Sequence, residues 1–137
     1  MGEVNVEITL KNSADLAMVR IGEMPEQNVR SVTVNAVVDT GAMTLVIGED
    51  LRKELGLAVI ETRTATLAGG SKVNCNLAEP VDIIWKNRTA LIRPWVLPGE
   101  KNVLLGVIPL EEMDVMVDPV NNRLVGIHGD EAIAVIR

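Results

Sequence analysis

Asp39-Thr40-Gly41 is the triplet in this sequence with the clearest chemical potential. A carboxylate can take a proton from water or give one to a carbonyl, so an aspartate held in a fixed place serves as a general base or acid. Asp39 follows Val32, Val34, Ala36, Val37 and Val38, an apolar run that reads as a buried strand. Buried carboxylates are costly unless paired or hydrogen-bonded. Gly41 has no Cβ and lets another group approach closely, and the Thr40 hydroxyl can hold such a loop together. Taken alone, Asp-Thr-Gly equally describes an ordinary strand-ending turn. Other reactive side chains are weaker candidates. Cys75, the single cysteine, has no basic neighbour in sequence and reads as a small apolar filler on a hairpin strand. One histidine, His128, makes a weak metal case. Glu111, Glu112 and Asp114 read as solvated acids rather than a metal cluster.

What accompanies the triplet narrows its meaning. Asp39-Thr40-Gly41-Ala42 after an apolar strand, with Thr44-Leu45-Val46-Ile47 beyond it, resembles the active-site loop of the retropepsin-like aspartic proteases. A second match is Val103-Leu104-Leu105-Gly106, followed by the short segment Ile108 to Met113. Between them lies Ala68-Gly69-Gly70-Ser71, a candidate flap tip. The resemblance covers about Val29 to Val125 and is nearest to the single-domain bacterial and archaeal members. It implies a closed acid-protease barrel with one or two short helices, in which Leu104, Leu105 and Gly106 lie beneath the catalytic loop. It further implies that Asp39, Thr40 and Gly41 are catalytic, and that Ala42 and the tip Ala68, Gly69, Gly70 and Ser71 contact substrate. Two departures stand out. Met43 and Thr44 occupy the place where the viral enzymes carry an acid, and Val107 the place of its basic partner. Both charges are missing together, so none is stranded.

The elements that must position these residues can be read from periodicity. Val4, Val6, Ile8 and Leu10 alternate with polar residues and predict a half-buried strand. Leu16 to Ile21 reads as a second strand, Gly22 to Asn28 as a loop, and Val32 to Val38 as the third strand. GEDLRKELGL changes period, with acids early and Gly56 late, and predicts a short helix. Val59 to Leu67 and Lys72 to Leu77 are two arms around a Gly-Gly tip, which predicts a hairpin. Val81 to Trp85, Thr89 to Arg93, Trp95 to Leu97 and Val103 to Gly106 are further strands, with Trp85 and Trp95 as packing residues. Pro109 to Met113 fits a short helix with proline early. Val115 to Val117 and Arg123 to Ile127 form two strands about a turn, and the apolar tail Ala132 to Ile136 reads as another. Many short strands with Gly- and Pro-rich turns indicate an all-β barrel or sandwich.

At 137 residues the chain is expected to be a single domain, 1-137, too short for two lobes. Acid-protease chemistry needs two aspartates, yet Asp82, Asp118 and Asp130 do not repeat the triplet. A protease reading therefore requires a symmetric homodimer with one Asp39 from each chain. Nineteen acidic against thirteen basic residues leave a net charge of -6 with no basic run, which argues against nucleic acid as partner. No apolar stretch is long enough to span a membrane, and no signal peptide is apparent, so a cytoplasmic location is expected. A peptide or protein substrate is expected, and no cofactor or metal. The rival reading is a non-catalytic dimerisation or peptide-binding module with the same fold. A more distant one is a structural β-domain in which Asp39 merely ends a strand.

Overall fold

The structure is a computed structural model that describes residues 3–136. Its first strand, β1 (Val4–Asn12), buries Val4, Val6, Ile8 and Leu10 on one face while the residues between them face outward, as the alternation predicts. Leu16 to Ile21 is not a strand. Ser13–Arg20 is helical (α1), because Asn12 caps it by accepting the Asp15 N–H at 3.1 Å and Asp15 sits in the first turn. Asp15 is itself buried and takes two bonds from the Arg30 guanidinium, each 2.8 Å. Local capping thus overrides the apolar run Leu16 to Val19.

After a 3-10 turn at Glu26–Asn28 come β2 (Ser31–Val38), β3 (Leu45–Ile47) and α2 (Glu49–Glu54). Helix α2 has Glu49 and Asp50 in its first turn and stops at Gly56, whose φ is +67°. The hairpin arms are β4 (Val59–Thr66) and β5 (Lys72–Ala78), followed by β6 (Val81–Trp85), β7 (Arg88–Ile92) and β8 (Trp95–Val96). Then come β9 (Val103–Leu105), α3 (Val107–Glu112) and the hairpin β10 (Val115–Asp118) and β11 (Arg123–Gly126). Pro109 falls in the first turn of α3, which begins two residues earlier than the proline alone suggests.

The all-β expectation holds. Nine strands form one strongly curled half-barrel in the order β4-β5-β8-β3-β9-β2-β1-β6-β7, and β10 pairs with β11. Among the described residues three short helices accompany it, the unforeseen one being α1. Inside the curl, Leu10, Ala36, Leu45, Ile47, Ile83 and Leu105 are fully buried. Strand β9 is the piece that matters for the Asp39 loop. It runs parallel to β2, with Val38 opposite Leu105, and antiparallel to β3, with Leu45 opposite the same Leu105. The two legs of the loop are therefore clamped to either side of one buried strand.

The apolar tail is not a strand. Ala132 to Ile136 has no regular structure, Ile133 gives its N–H to the Asp114 carboxylate at 3.1 Å, and Val135 and Ile136 are exposed. Backbone in a strand needs a neighbouring edge to bond to, and this segment lies against none.

Candidate active site

Asp39 leaves β2 at the point where β9 ends, and its N–H donates to the Leu105 carbonyl at 3.0 Å. The turn then closes on itself, Ala42 N–H to the Asp39 carbonyl at 3.0 Å. Three further donors come from the start of α3: Gly106 to the Thr44 carbonyl at 3.0 Å, Val107 to Ala42 at 3.0 Å, and Ile108 to Met43 at 2.9 Å. Amides in the first turn of a helix have no partner within it. Here the loop carbonyls supply the partners, so helix and loop satisfy each other. Gly106 makes this approach possible, because a Cβ there would fall 2.4 Å from the Ala42 carbonyl oxygen and 2.5 Å from that of Thr44. Leu105 and Gly106 thus lie directly against the loop, Leu105 with no exposure at all, while Leu104 pairs with Val37 and Val46 in the strands on either side of it.

The Asp39 side chain is half-buried, and its Oδ1 accepts the Gly41 N–H at 2.9 Å. A Cβ on Gly41 would lie 3.1 Å from that oxygen, so even alanine would crowd it. Thr40 and Gly41 are exposed. Among the described residues no cation pairs with Asp39, and the Thr40 hydroxyl makes no hydrogen bond. What the chain presents is a rigid turn carrying one carboxylate, one oxygen of which is already oriented by a backbone amide.

Ala68, Gly69, Gly70 and Ser71 form the exposed tip of the β4–β5 hairpin. Leu67 N–H bonds the Ser71 carbonyl and Gly70 N–H the Leu67 carbonyl, both at 2.8 Å, while Gly70 takes φ +85°, a conformation that favours glycine. The hairpin is tied to the rest of the sheet at its base, where Asn76 and Leu77 of β5 meet β8 and the Ala78 N–H donates to the Pro94 carbonyl at 3.0 Å, and its outer half pairs only with itself among the described residues. No hydrogen bond joins the tip to the Asp39 loop among the described residues. Loop and hairpin instead share a groove of ≈ 390 Å³, lined by Met43 and Thr44 on one side and Arg63 and Leu77 on the other. A larger hollow of ≈ 740 Å³ lies elsewhere, among β1, the β6–β7 turn and β11. Asp39 lines neither.

One polar centre gave no signal in the sequence. Arg88 is a buried residue at the start of β7; it donates to the Gly129 carbonyl at 2.6 Å and lies 3.5 Å from Asp114. His128 Nδ1 lies 2.8 Å from the same Asp114 carboxylate. His128 first, then the Ile133 N–H, hold the Asp114 carboxyl below its ordinary range against a smaller opposing effect of burial, with the charge of Arg88 adding to them. This centre ties the segment after β11 to the β6–β7 turn and holds no nucleophile. Asp114 itself takes φ +56° just after α3, an uncommon conformation for a residue other than glycine. Glu112, meanwhile, accepts the Leu91 N–H at 3.2 Å. Cys75 is buried on β5, and burial pushes its thiol upward, away from the thiolate a nucleophile needs.

Comparison with known proteins places these parts in a family frame. The aspartyl protease family model matches residues 17–107, a span that contains the Asp39 loop, the hairpin and the Val103–Gly106 support. No curated protein matches the chain.

Proposed function

This chain belongs to the aspartyl protease family, and on that premise we propose that it is a homodimeric aspartic endopeptidase whose centre is formed by two Asp39 carboxylates, one from each subunit. The observation that carries the reading is the pinned loop: a half-buried carboxylate oriented by Gly41 N–H, fixed from below by β9 and α3, with Thr40 and Gly41 left exposed. A second copy of the same loop is the partner that such a surface fits. Two-fold association brings like against like, and the Thr40 hydroxyl, which makes no hydrogen bond among the described residues, then reaches across to brace the other loop.

Two carboxylates within hydrogen-bond reach cannot both ionise cheaply, so the pair holds one proton between them; acid proteases are the best-known instance of this behaviour. The ionised member takes a proton from a water while the protonated member gives one to the peptide carbonyl, and the water oxygen adds to the carbonyl carbon. In the collapse of that adduct the carboxyl that took the water's proton gives it to the departing nitrogen, the other carboxylate takes a proton from an adduct hydroxyl, and the C–N bond breaks to leave a carboxylic acid and an amine. The chemistry needs only the two carboxylates and the water. The β4–β5 hairpin acts as a flap, its glycine tip offering backbone groups to an extended peptide, with Ala42 at the edge of the same cleft.

The test is cleavage of an unfolded protein across mildly acidic to neutral pH, with wild type and Asp39→Asn compared over a range of protein concentrations. Wild type is expected to cut, Asp39→Asn to lose at least about a hundredfold in rate, and specific activity to rise with concentration. Cutting that survives Asp39→Asn would end this mechanism. A dimer by mass that cuts nothing would favour a peptide-binding module instead.

A further inference from the structure

The groove beside the Asp39 loop has a composition that peptide hydrolysis by itself does not require. Met43 from the loop, Ile108 from α3 and Leu91 from β7 line it together and are 63 %, 43 % and 55 % exposed. Three large apolar side chains meeting water along one groove are a surface that binding would cover. Two arginines, Arg63 on β4 and Arg93 just after β7, line it as well, and no acidic residue does. Arg93 is exposed and has no ion-pair partner among the described residues. Arg63 pairs only with its neighbour Glu61, and both are about half exposed, so that pair is weak and easily exchanged. On a chain of net charge -6 the lining itself carries only positive charge, with Glu61 against Arg63 and Glu112 on the Leu91 amide just outside it.

The place of the groove fits its chemistry. β4 and β7 are the end strands of the curled sheet, with no further strand paired outside either among the described residues; Glu112 already takes the Leu91 N–H of β7, which leaves β4 the freer edge, and both strands contribute lining residues. An extended peptide can pair with such an edge. Asp39 does not line the groove, whereas Met43 and Thr44 of the same loop do, so a peptide side chain lodged there belongs to a residue some positions along from the bond being cut.

We propose that this groove is a specificity subsite for an extended peptide with a large apolar residue next to an acidic one, the apolar side chain seated on Met43, Leu91 and Ile108 and the carboxylate held by Arg93 and Arg63. The assignment rests on the endopeptidase reading above, but its test does not depend on turnover. Fluorescein-labelled peptides containing Glu-Leu, Lys-Leu or Glu-Ser at one position are titrated with the full-length Asp39→Asn protein and followed by fluorescence anisotropy. The Glu-Leu peptide is expected to bind about tenfold tighter than Lys-Leu, with a gap that narrows as salt rises. Arg93→Glu with Arg63→Glu reverses that order, while Leu91→Ser weakens Glu-Leu and leaves Glu-Ser little changed. Equal binding of Glu-Leu and Lys-Leu, no binding of any peptide, or a preference untouched by the arginine reversals would overturn the subsite. Cleavage of the same peptides by wild type reads the other question. A charge preference in binding without any cutting would sink the endopeptidase and keep the groove, whereas cutting without a preference would do the opposite.

Discussion

At the residue scale, the structure makes the two glycines of greatest interest behave oppositely. Gly106 is pressed against backbone, where a Cβ would meet carbonyl oxygens at 2.4 and 2.5 Å, and backbone cannot swing away as a side-chain end can. Gly69, in contrast, has open space where a Cβ would go. Gly106→Ala is therefore expected to cost about 1–3 kcal/mol of stability and to displace the Asp39 turn, whereas Gly69→Ala leaves the urea midpoint unchanged. Urea titration with parallel assays of cleavage separates the two. Both glycines were legible in sequence because their motifs are set by short-range chemistry: a Gly-Gly tip between two arms, and a glycine ending an apolar strand. Arg88, Asp114 and His128 were not legible. Their association depends on how β7, the turn after α3 and the segment after β11 converge, which no local spacing encodes. The apolar exposure of Met43 and Ile108 was hidden for the same reason, since two residues far apart in sequence meet only through the α3-to-loop hydrogen bonds.

At the element scale, alternation recovered the strands and period change recovered α2, but α1 was misread. Leu16 to Val19 looks like a strand until Asn12 and Asp15 are seen as a cap and a first-turn acid, three residues apart. Asp15 then fastens α1 to the start of β2 through Arg30. Because Arg30 holds the Asp15 carboxyl below its ordinary range, the folded chain binds fewer protons there than the unfolded chain. Stability from the pair is complete above about pH 4, where the unfolded carboxyl is ionised too, and is lost as pH falls through the lower folded value. Asp15→Asn is expected to lower the thermal midpoint at pH 7, with the gap to wild type closing below about pH 4. Thermal melts of both proteins between pH 2.5 and 7 check it; a gap constant with pH would show that the ion pair is not its source. The tail Ala132 to Ile136 failed as a strand for a different reason: apolar composition predicts burial, but pairing requires an edge, and composition cannot say whether one is near.

At the scale of the whole molecule, the single Asp39 per chain gives the proposed dimer a numerical signature. If wild type and Asp39→Asn are mixed in equal amounts and allowed to exchange subunits, random pairing leaves roughly a quarter of the dimers with two aspartates. Activity per wild-type chain is then expected to fall by about half. A monomeric enzyme would show no change on mixing. The way β9 is threaded between β2 and β3 also governs when the centre comes into being. Ala36 is paired with Val103, and the loop carbonyls are satisfied only by amides from the beginning of α3. Contacts between such distant parts of a chain form late, after loop closure has been met elsewhere. A chain emerging from the ribosome therefore carries its Asp39 in an unsupported turn until β9 and α3 have followed. On the endopeptidase reading, any capacity to cut peptides is thereby tied to completion of the fold, because the Asp39 turn has its hydrogen-bond partners only once β9 and α3 are in place.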